Sequence, residues 1–272
     1  MHTLLSITKE PYSSATIKIS DIVTSALESE VTLFTVTSKQ SSDQATLDEL
    51  QLVSEQMSSP SNILVRQGNP ATEILSELNS GKYNLLAIGA RAHSSAPTEL
   101  LLGDTTHRIV KDTPISILIA RGTIKKLKRI LVCTSGPNAG FDAIQTAIKI
   151  AKHSNSRLTV LHVSRAIPSM YTGLDQMGET LSDLLQTNTP TAQYLRNCAN
   201  LLNSEQINAE IELRHGTPTK EILRDVERNK HDLLIIGAAK RSSINRVLTD
   251  NVSTQLAANA PLPVLVVHST IY

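Results

Sequence analysis

The chain has 272 residues, and its 26 Lys and Arg nearly balance its 25 Asp and Glu to leave a net charge of +1. This length suggests two domains, while the balanced charge and the aromatic content of 3% argue against nucleic acid as a partner. The two cysteines lie far apart without a CxxC pair, and no apolar run approaches the ~18 residues of a membrane span, so we expect a cytoplasmic protein without membrane contact.

Strands and helices are predicted to alternate from the start of the chain. The segments "TLLSITKEP" (3–11) and "EVTLFTVTS" (30–38) are rich in apolar and β-branched residues near their starts, as buried strands are. Residues 66–89 end in the fully apolar run "LLAIG", and "ISILIAR" follows Pro114. These runs predict a series of buried strands in the first half of the chain.

An internal repeat relates the two halves. The block "RQGNPATEILSELNSGKYNLLAIG" (66–89) aligns without a gap to "RHGTPTKEILRDVERNKHDLLIIG" (214–237), and 11 of the 24 positions are identical. Self-similarity of this length indicates a duplicated domain. The other matched segments are 3–11 with 129–137 and 30–38 with 157–165.

The second half gives the same alternation in more detail. Apolar residues recur at helical spacing after the strand-like run "RILVCT". Pro218 stands near the start of another predicted helix, where its missing N–H is tolerated. The further strands are "RLTVLHV", "NAEIELRHG", "DLLIIG" and "PVLVVH", and the helices between them are "TAQYLRNCANLLNSEQ", "PTKEILRDVERNK" and "NVSTQLAANA".

Continuous apolar strands separated by helices are typical of a parallel sheet covered on both faces. The predicted fold class is therefore α/β, with two tandem doubly wound, Rossmann-like domains, each built on a five-stranded parallel sheet. We place the domains at 1–122 and 123–272, with the basic segment 121–129 as a solvated linker. The second domain is longer by an insertion around residues 166–190, whose Gly, Pro and Thr content predicts a loop with a short helix.

The order of these elements, with "LLAIG" and "LLIIG" at the fourth strands and "APLPVLVV" near the end, resembles the universal stress protein family over essentially the whole chain, as a tandem pair. The resemblance implies the adenine nucleotide alpha hydrolase-like form of the Rossmann-like fold. In nucleotide-binding members it also implies a loop Gly-x2-Gly-x9-Gly-Ser/Thr after the fourth strand and an Asp after the first. Such a loop lies at the carboxyl ends of the strands, where amides and a helix N-terminus bind phosphate.

The motif maps onto this chain with several departures. Ala92 and Lys240 take the place of the second glycine, and Asp250 that of the third glycine in the second half. Lys9 in the first half and Ser135 in the second stand where the family has its Asp. The cofactor-binding residues that the resemblance implies are Gly89, Gly103, Asp104, Thr105, Ser135, Gly237, Lys240 and Asn251.

Two interpretations of these loops stay open. Asp104 and Asp250 bring negative charge to the place where a phosphate would arrive, which opposes binding. Asp is also a favourable helix N-cap, so Asp104 or Thr105 in the first half and Thr249 or Asp250 in the second are candidates for a purely structural role. The glycines that remain keep nucleotide binding open as the alternative.

The resemblance therefore leaves two functions. The first is a non-catalytic stress-response protein with degenerate loops, acting through unknown protein partners or a small ligand. The second is a stress protein that uses ATP or another adenine nucleotide as a switch. The last strand of each half has an apolar edge that invites pairing, so we expect an internal pseudo-dimer of the two halves, and a homodimer of whole chains stays open.

No catalytic residue or metal site is expected, because the eight histidines show no ligand spacing. His162 is interpreted as a core or sheet-end residue. Arg214 and His215 stand at the end of a predicted strand. We interpret them first as exposed polar residues of a loop, and contact with a ligand is the alternative. Cys133 is predicted to be a small buried hydrophobic residue.

Overall fold

The computed structural model describes residues 1–7, 13–37, 43–59, 61–90, 104–122, 124, 126–134, 136–164, 180–238 and 250–268. Within these ranges strands and helices alternate along the chain. The strands are β1 (His2–Ser6), β2 (Glu30–Thr37), β3 (Ser61–Gln67), β4 (Leu85–Gly89), β5 (Ser116–Ala120), β6 (Arg129–Thr134), β7 (Arg157–Ser164), β8 (Ala209–His215), β9 (Leu233–Ala238) and β10 (Val264–His268). The helices are α1 (Ser13–Ala26), α2 (Asp43–Gln56), α3 (Pro70–Leu78), α4 (Asp104–Asp112), α5 (Pro137–Ser154), α6 (Leu181–Gln186), α7 (Pro190–Ser204), α8 (Pro218–Asn229) and α9 (Asp250–Asn259).

By their contacts the residues form two compact units. Unit 1 comprises Met1–Lys126 and Ala257–Val266, and unit 2 comprises Leu127–Leu256 and Val267–Tyr272. The final strand of the chain thus belongs in large part to unit 1.

Unit 1 has the strand order β3-β2-β1-β4-β5-β10. The first five strands are parallel, as the alternation of strands and helices predicts. β10 runs antiparallel to β5, with Val264 opposite Ile119 and Val266 opposite Ile117. This pairing satisfies the backbone groups of an apolar edge strand.

Unit 2 has the strand order β9-β6-β7-β8, and all of these strands are parallel. The registers place Thr134 opposite His162 and Ser164 opposite His215. The α/β, Rossmann-like class predicted from the sequence is confirmed. Among the described residues, unit 1 contains five parallel strands and unit 2 contains four, because most of β10 is counted with unit 1.

The local sequence explains where the helices begin. Proline occupies the first turn of α3, α5, α7 and α8, where no backbone N–H is needed. Side chains of Asn69, Thr180 and Thr189 accept hydrogen bonds from the first turns of α3, α6 and α7. The short helix α6 lies inside the predicted insertion, of which residues 165–179 lie outside the described residues.

The core is formed by the strands together with the inward-facing sides of the helices, such as Ile19 and Val23 of α1 and Ala143 and Ile144 of α5. Leu85, Leu86, Leu233 and Leu234 are fully buried, as expected for strands covered on both faces. Among the described residues, no helix has the length and apolar character needed to cross a membrane.

Candidate functional site

The two glycines that open the predicted loops lie at the carboxyl ends of strands. Gly89 is the last residue of β4, and Gly237 is the penultimate residue of β9. These strands pair with β1 and β6, the first strands of their halves. In an open parallel sheet the gap beside the first strand, where the strand order reverses, is the usual ligand site.

The helices that follow the loops both begin with aspartate. α4 starts at Asp104, with Thr105 as its second residue, and α9 starts at Asp250, with Asn251 as its second residue. The remaining predicted site residues, Gly103, Ser135 and Lys240, lie outside the described residues, as do Lys9, Ala92 and Thr249.

A group of polar side chains lies at the carboxyl ends of β6, β7 and β8. We call Thr134, His162, Ser164 and His215 the histidine cluster. Thr134 Oγ1 and His162 Nδ1 are 3.3 Å apart, and Ser164 Oγ and His215 Nδ1 are 2.7 Å apart. The strand registers and the alternation of side chains put all four on the same face of the sheet.

Thr134 and His162 are buried, whereas Ser164 and His215 are half-buried. Burial lowers the pKa of His162, a hydrogen bond to the backbone of Thr134 opposes this effect, and His215 lowers the pKa further. The net effect is a lowered pKa, so His162 is neutral at pH 7.

Tyr194 of α7 brings a further hydroxyl to the same place. Its side chain is buried, and the hydroxyl lies beside Thr134, Cys198 and Gly140. Among the described residues, none forms a hydrogen bond of good geometry with it. Burial, together with Cys198, raises the pKa of the Tyr194 hydroxyl, which therefore stays protonated.

We expect Gly140→Ala to destabilise the chain although Gly140 lies inside α5, where alanine normally favours the helix. A Cβ at this position would collide with the Tyr194 hydroxyl and lie 3.2 Å from Thr134 Cβ. Overpacking of this kind costs about 1–3 kcal/mol, measurable by urea unfolding. Tyr194→Phe removes the colliding oxygen, so the double variant should recover most of the loss. A single variant as stable as the parent would show that Tyr194 moves aside freely.

On the opposite face of unit 2, α8 holds a fully buried carboxylate. Asp225 is 0% exposed and pairs with Arg214, while His231 Nε2 lies 2.8 Å from Asp225 Oδ2 and Asn229 Nδ2 donates to Oδ1 at 3.0 Å. Burial raises the pKa of Asp225, but the hydrogen bond from His231 and the charge of Arg214 outweigh it, and the net pKa is lowered. Arg214 therefore has a structural partner and is not poised for a ligand.

Unit 1 repeats this arrangement at the aligned positions. Arg66 lies 3.2 Å from Glu77, and the Tyr83 hydroxyl donates to Glu77 Oε1 at 3.0 Å. The duplicated block therefore preserves an arginine on the third strand of each half, an acid on the following helix, and a hydrogen-bonding ring before the fourth strand. Cys133 is buried, which confirms the sequence prediction of a small buried residue, and burial raises the pKa of its thiol.

Comparison with known proteins gives the family. The model of the universal stress protein family matches residues 16–121 and, a second time, residues 126–268. The chain belongs to the universal stress protein family. The two matches confirm the tandem organisation inferred from the internal repeat.

Individual universal stress proteins match one half of the chain each time. Universal stress protein MJ0531 of Methanocaldococcus jannaschii is 29% identical over 142 residues, which are 52% of this chain and 81% of that protein. Universal stress protein YxiE of Bacillus subtilis is 24% identical over 145 residues, or 52% of this chain and 98% of that protein.

Solved structures match the whole chain. A universal stress protein from Archaeoglobus fulgidus has a TM-score of 0.70 at 18% identity and covers 98% of both chains. The functionally unknown protein PA1789 from Pseudomonas aeruginosa has a TM-score of 0.72 at 15% identity, with 98% of this chain and 92% of that chain covered. At sequence identities this low, the similarity shows a shared fold and nothing further.

The histidine cluster was not predicted as a site from the sequence. His162 and His215 were each interpreted alone, because they stand 53 positions apart in the printed sequence. The available signal was the alternation of His162 and Ser164 along one strand, which puts both on one face. The strand register then supplies the remaining information, since it places Thr134 and His215 beside them.

Proposed function

We propose that this universal stress protein is a non-catalytic stress-response protein whose two glycine loops are degenerate, and that it acts through a protein partner or a small ligand. The cytoplasm is the proposed location. No step of chemistry is assigned to any residue, and the proposal concerns binding alone.

The observation that supports this proposal is that α4 and α9, the helices after the two loops, each begin with aspartate. The amino end of a helix attracts anions because its free N–H groups and dipole are positive there. An aspartate at that position supplies the negative charge within the chain. A phosphate would then meet repulsion at both loops, so the residues present fit an adenine nucleotide poorly.

The second candidate function is a nucleotide switch. It is favoured by Gly89 and Gly237, which lie at the strand ends beside β1 and β6, where an open α/β sheet binds ligands. In this case ATP or another adenine nucleotide is the cofactor. The proposed contact residues are Gly89, Gly103, Asp104, Thr105, Ser135, Gly237, Lys240 and Asn251.

We expect Asp250→Gly to raise the affinity for AMP by about tenfold, or 1.4 kcal/mol, because it removes a repulsive charge from the start of α9. Lys240→Ala should change the affinity little, since we propose that Lys240 pairs with Asp250 in the free protein. Isothermal titration of AMP into the full chain measures both effects, with Asp104→Gly as the matched variant in the first half. A wild-type binding event that Lys240→Ala abolishes would make Lys240 a phosphate ligand and refute the degenerate loop.

We also propose that the halves 1–122 and 123–272 are the two domains and that they form an internal pseudo-dimer. The support is that β10, which is encoded at the end of the second half, pairs antiparallel with β5 of the first half. Antiparallel pairing of equivalent strands is what a two-fold relation between similar domains produces. A homodimer of whole chains is compatible with this proposal.

A further inference from the structure

The outer side of α8 carries a row of basic residues, which we call the basic face. Lys220, Arg224 and Arg228 follow one another at intervals of four residues, so they lie on one side of the helix. All three are exposed, while the opposite side of α8 is buried. Arg224 pairs with Glu221 at 2.7 Å, and among the described residues Lys220 and Arg228 form no ion pair. Two cations of the basic face therefore lack a partner within the described parts of the chain.

The internal repeat shows that the fold does not require the basic face. The positions of the first half that align with its three basic residues hold Thr72, Ser76 and Ser80, which are all neutral. The residues facing the core are alike, since Ile74 of α3 and Ile222 of α8 are both buried. Because α3 takes the equivalent place without these charges, the basic face points to a role outside the fold.

The helix α2 has an outer side of opposite charge, which we call the acidic face. Asp48 and Glu55 lie on either side of Leu52 at spacings of four and three residues, and all three are exposed. No basic residue occurs in α2. Gln44 and Gln51 donate hydrogen bonds to the two carboxylates at 2.9 and 3.4 Å, and neither carboxylate forms an ion pair with a described residue.

An exposed leucine lies at the centre of the acidic face. Leu52 is 60% exposed, and Leu47 on the flank of the same helix is 38% exposed. On α8, the half-buried Leu223 follows Lys220 by three residues and borders the basic face. Interfaces between proteins commonly combine an apolar centre with a charged rim, and the two faces together supply both parts.

The two halves of the chain also differ in net charge. Residues 1–122 contain 9 Lys and Arg against 13 Asp and Glu, whereas residues 123–272 contain 17 Lys and Arg against 12 Asp and Glu. Opposite net charges steer the first half of one chain toward the second half of another at low ionic strength. The complementary surfaces needed for self-association are therefore present in a single sequence.

We propose that the acidic face of α2 docks on the basic face of α8 of a second copy of this chain. Exposed charge pairs each contribute little, and a contact of one helix on another is smaller than a standard interface, so the association is weak and depends on salt. The contact uses none of the glycine-loop residues and stands whether or not the loops bind a nucleotide.

Sedimentation velocity of the full chain over a range of protein concentrations measures this association. Raising NaCl from about 0.1 M to about 1 M shortens the Debye length from about 10 Å to about 3 Å. We expect the weight-average sedimentation coefficient to rise with protein concentration at the lower salt. At the higher salt the dissociation constant should increase at least about tenfold, because the facing charges are screened.

Two charge-reversal variants locate the contact. Lys220→Glu with Arg228→Glu makes the face of α8 acidic, and Asp48→Lys with Glu55→Lys makes the face of α2 basic. Each variant then carries two faces of like charge, so its dissociation constant should rise at least about tenfold over that of the parent. An equimolar mixture of the two variants should associate again, since each acidic face meets a basic one. Loss of folding cannot produce this recovery.

The matched control is Lys18→Glu with Lys149→Glu, which changes the net charge equally at exposed positions of α1 and α5 and should associate like the parent. Leu52→Ala should raise the dissociation constant about fivefold through lost apolar burial. A mixture that does not associate, or a control as weak as the α8 variant, would overturn the proposal. So would a parent of constant size at the lower salt. If that parent bound anionic lipid vesicles and the α8 variant did not, the basic face would belong to a membrane contact instead.

Discussion

Replacing Asp225 with alanine is expected to lower the free energy of unfolding by about 3–5 kcal/mol, the range for removing one partner of a buried ion pair. Asp225 is fully buried, and its carboxylate is the common partner of Arg214, His231 and Asn229. Its removal leaves the Arg214 charge, which is 19% exposed, with Glu212 as its remaining ion-pair partner among the described residues. Urea unfolding followed by circular dichroism measures the loss.

The repeat supplies the matched control, because Glu77 occupies the aligned position in unit 1. The Glu77 side chain is 12% exposed and its partner Arg66 is 51% exposed, so water screens this pair and Glu77→Ala should cost less. If both variants lost the same free energy of unfolding, burial of the ion pair would not be the reason for the large effect at Asp225.

The Asp225 interaction should also make unit 2 sensitive to acid. The pKa of Asp225 is lowered in the folded state, so its stabilising contribution is complete above the unfolded value of about 3.9 and is lost as the pH falls through the folded value. Asp225→Asn, which carries no titrating carboxyl group, should flatten the pH dependence of stability in this acid range. An unchanged slope in urea unfolding at pH 2–5 would show that other carboxylates dominate.

Arg121→Ala is expected to cost about 2–4 kcal/mol, because two hydrogen bonds from a charged group are lost together. Arg121 follows β5 and is 4% exposed, and its guanidinium donates to the Ala260 carbonyl at 2.6 Å and to the Ala257 carbonyl. These carbonyls lie at the carboxyl end of α9, where a cation is favourable. Burial lowers the pKa of Arg121 to about 10, so it is charged at neutral pH.

Arg121→Lys is the informative control. Lysine keeps the charge but cannot present two donors in the planar geometry of the guanidinium, so it should recover only part of the stability in a urea titration. A lysine variant equal to the parent would show that charge alone matters at this position. An alanine variant within about 0.5 kcal/mol of the parent, the effect of an ordinary surface change, would refute the structural role of Arg121.

The fold was largely predictable from the sequence for a physical reason. Strands covered on both faces, such as "LLAIG" and "DLLIIG", are continuous apolar runs, and the helices between them have period 3.6. The duplication adds to this, because the aligned segments of the two halves predict the same strands and helices independently. Pro218 was predicted near the start of a helix, and α8 begins at that residue.

The partners of individual side chains were less predictable, because they depend on contacts between distant parts of the sequence. Nothing local to Arg121 indicates that its acceptors lie at Ala257 and Ala260. The Asp225 network was more accessible, since the repeat aligns Asp225 with Glu77. The aligned block contains an arginine and an acidic residue at matching positions in both halves. From the sequence alone, these charges were not interpreted as partners in one network.

The most direct measurement is isothermal titration of ATP, with and without Mg²⁺, into the wild-type full chain at pH 7. If the aspartates at the starts of α4 and α9 have replaced the phosphate at both loops, we expect a dissociation constant weaker than about 1 mM, or about −4 kcal/mol. Stoichiometric binding with a dissociation constant near 1 μM, or about −8 kcal/mol, would contradict the degenerate loops and favour the nucleotide-binding alternative.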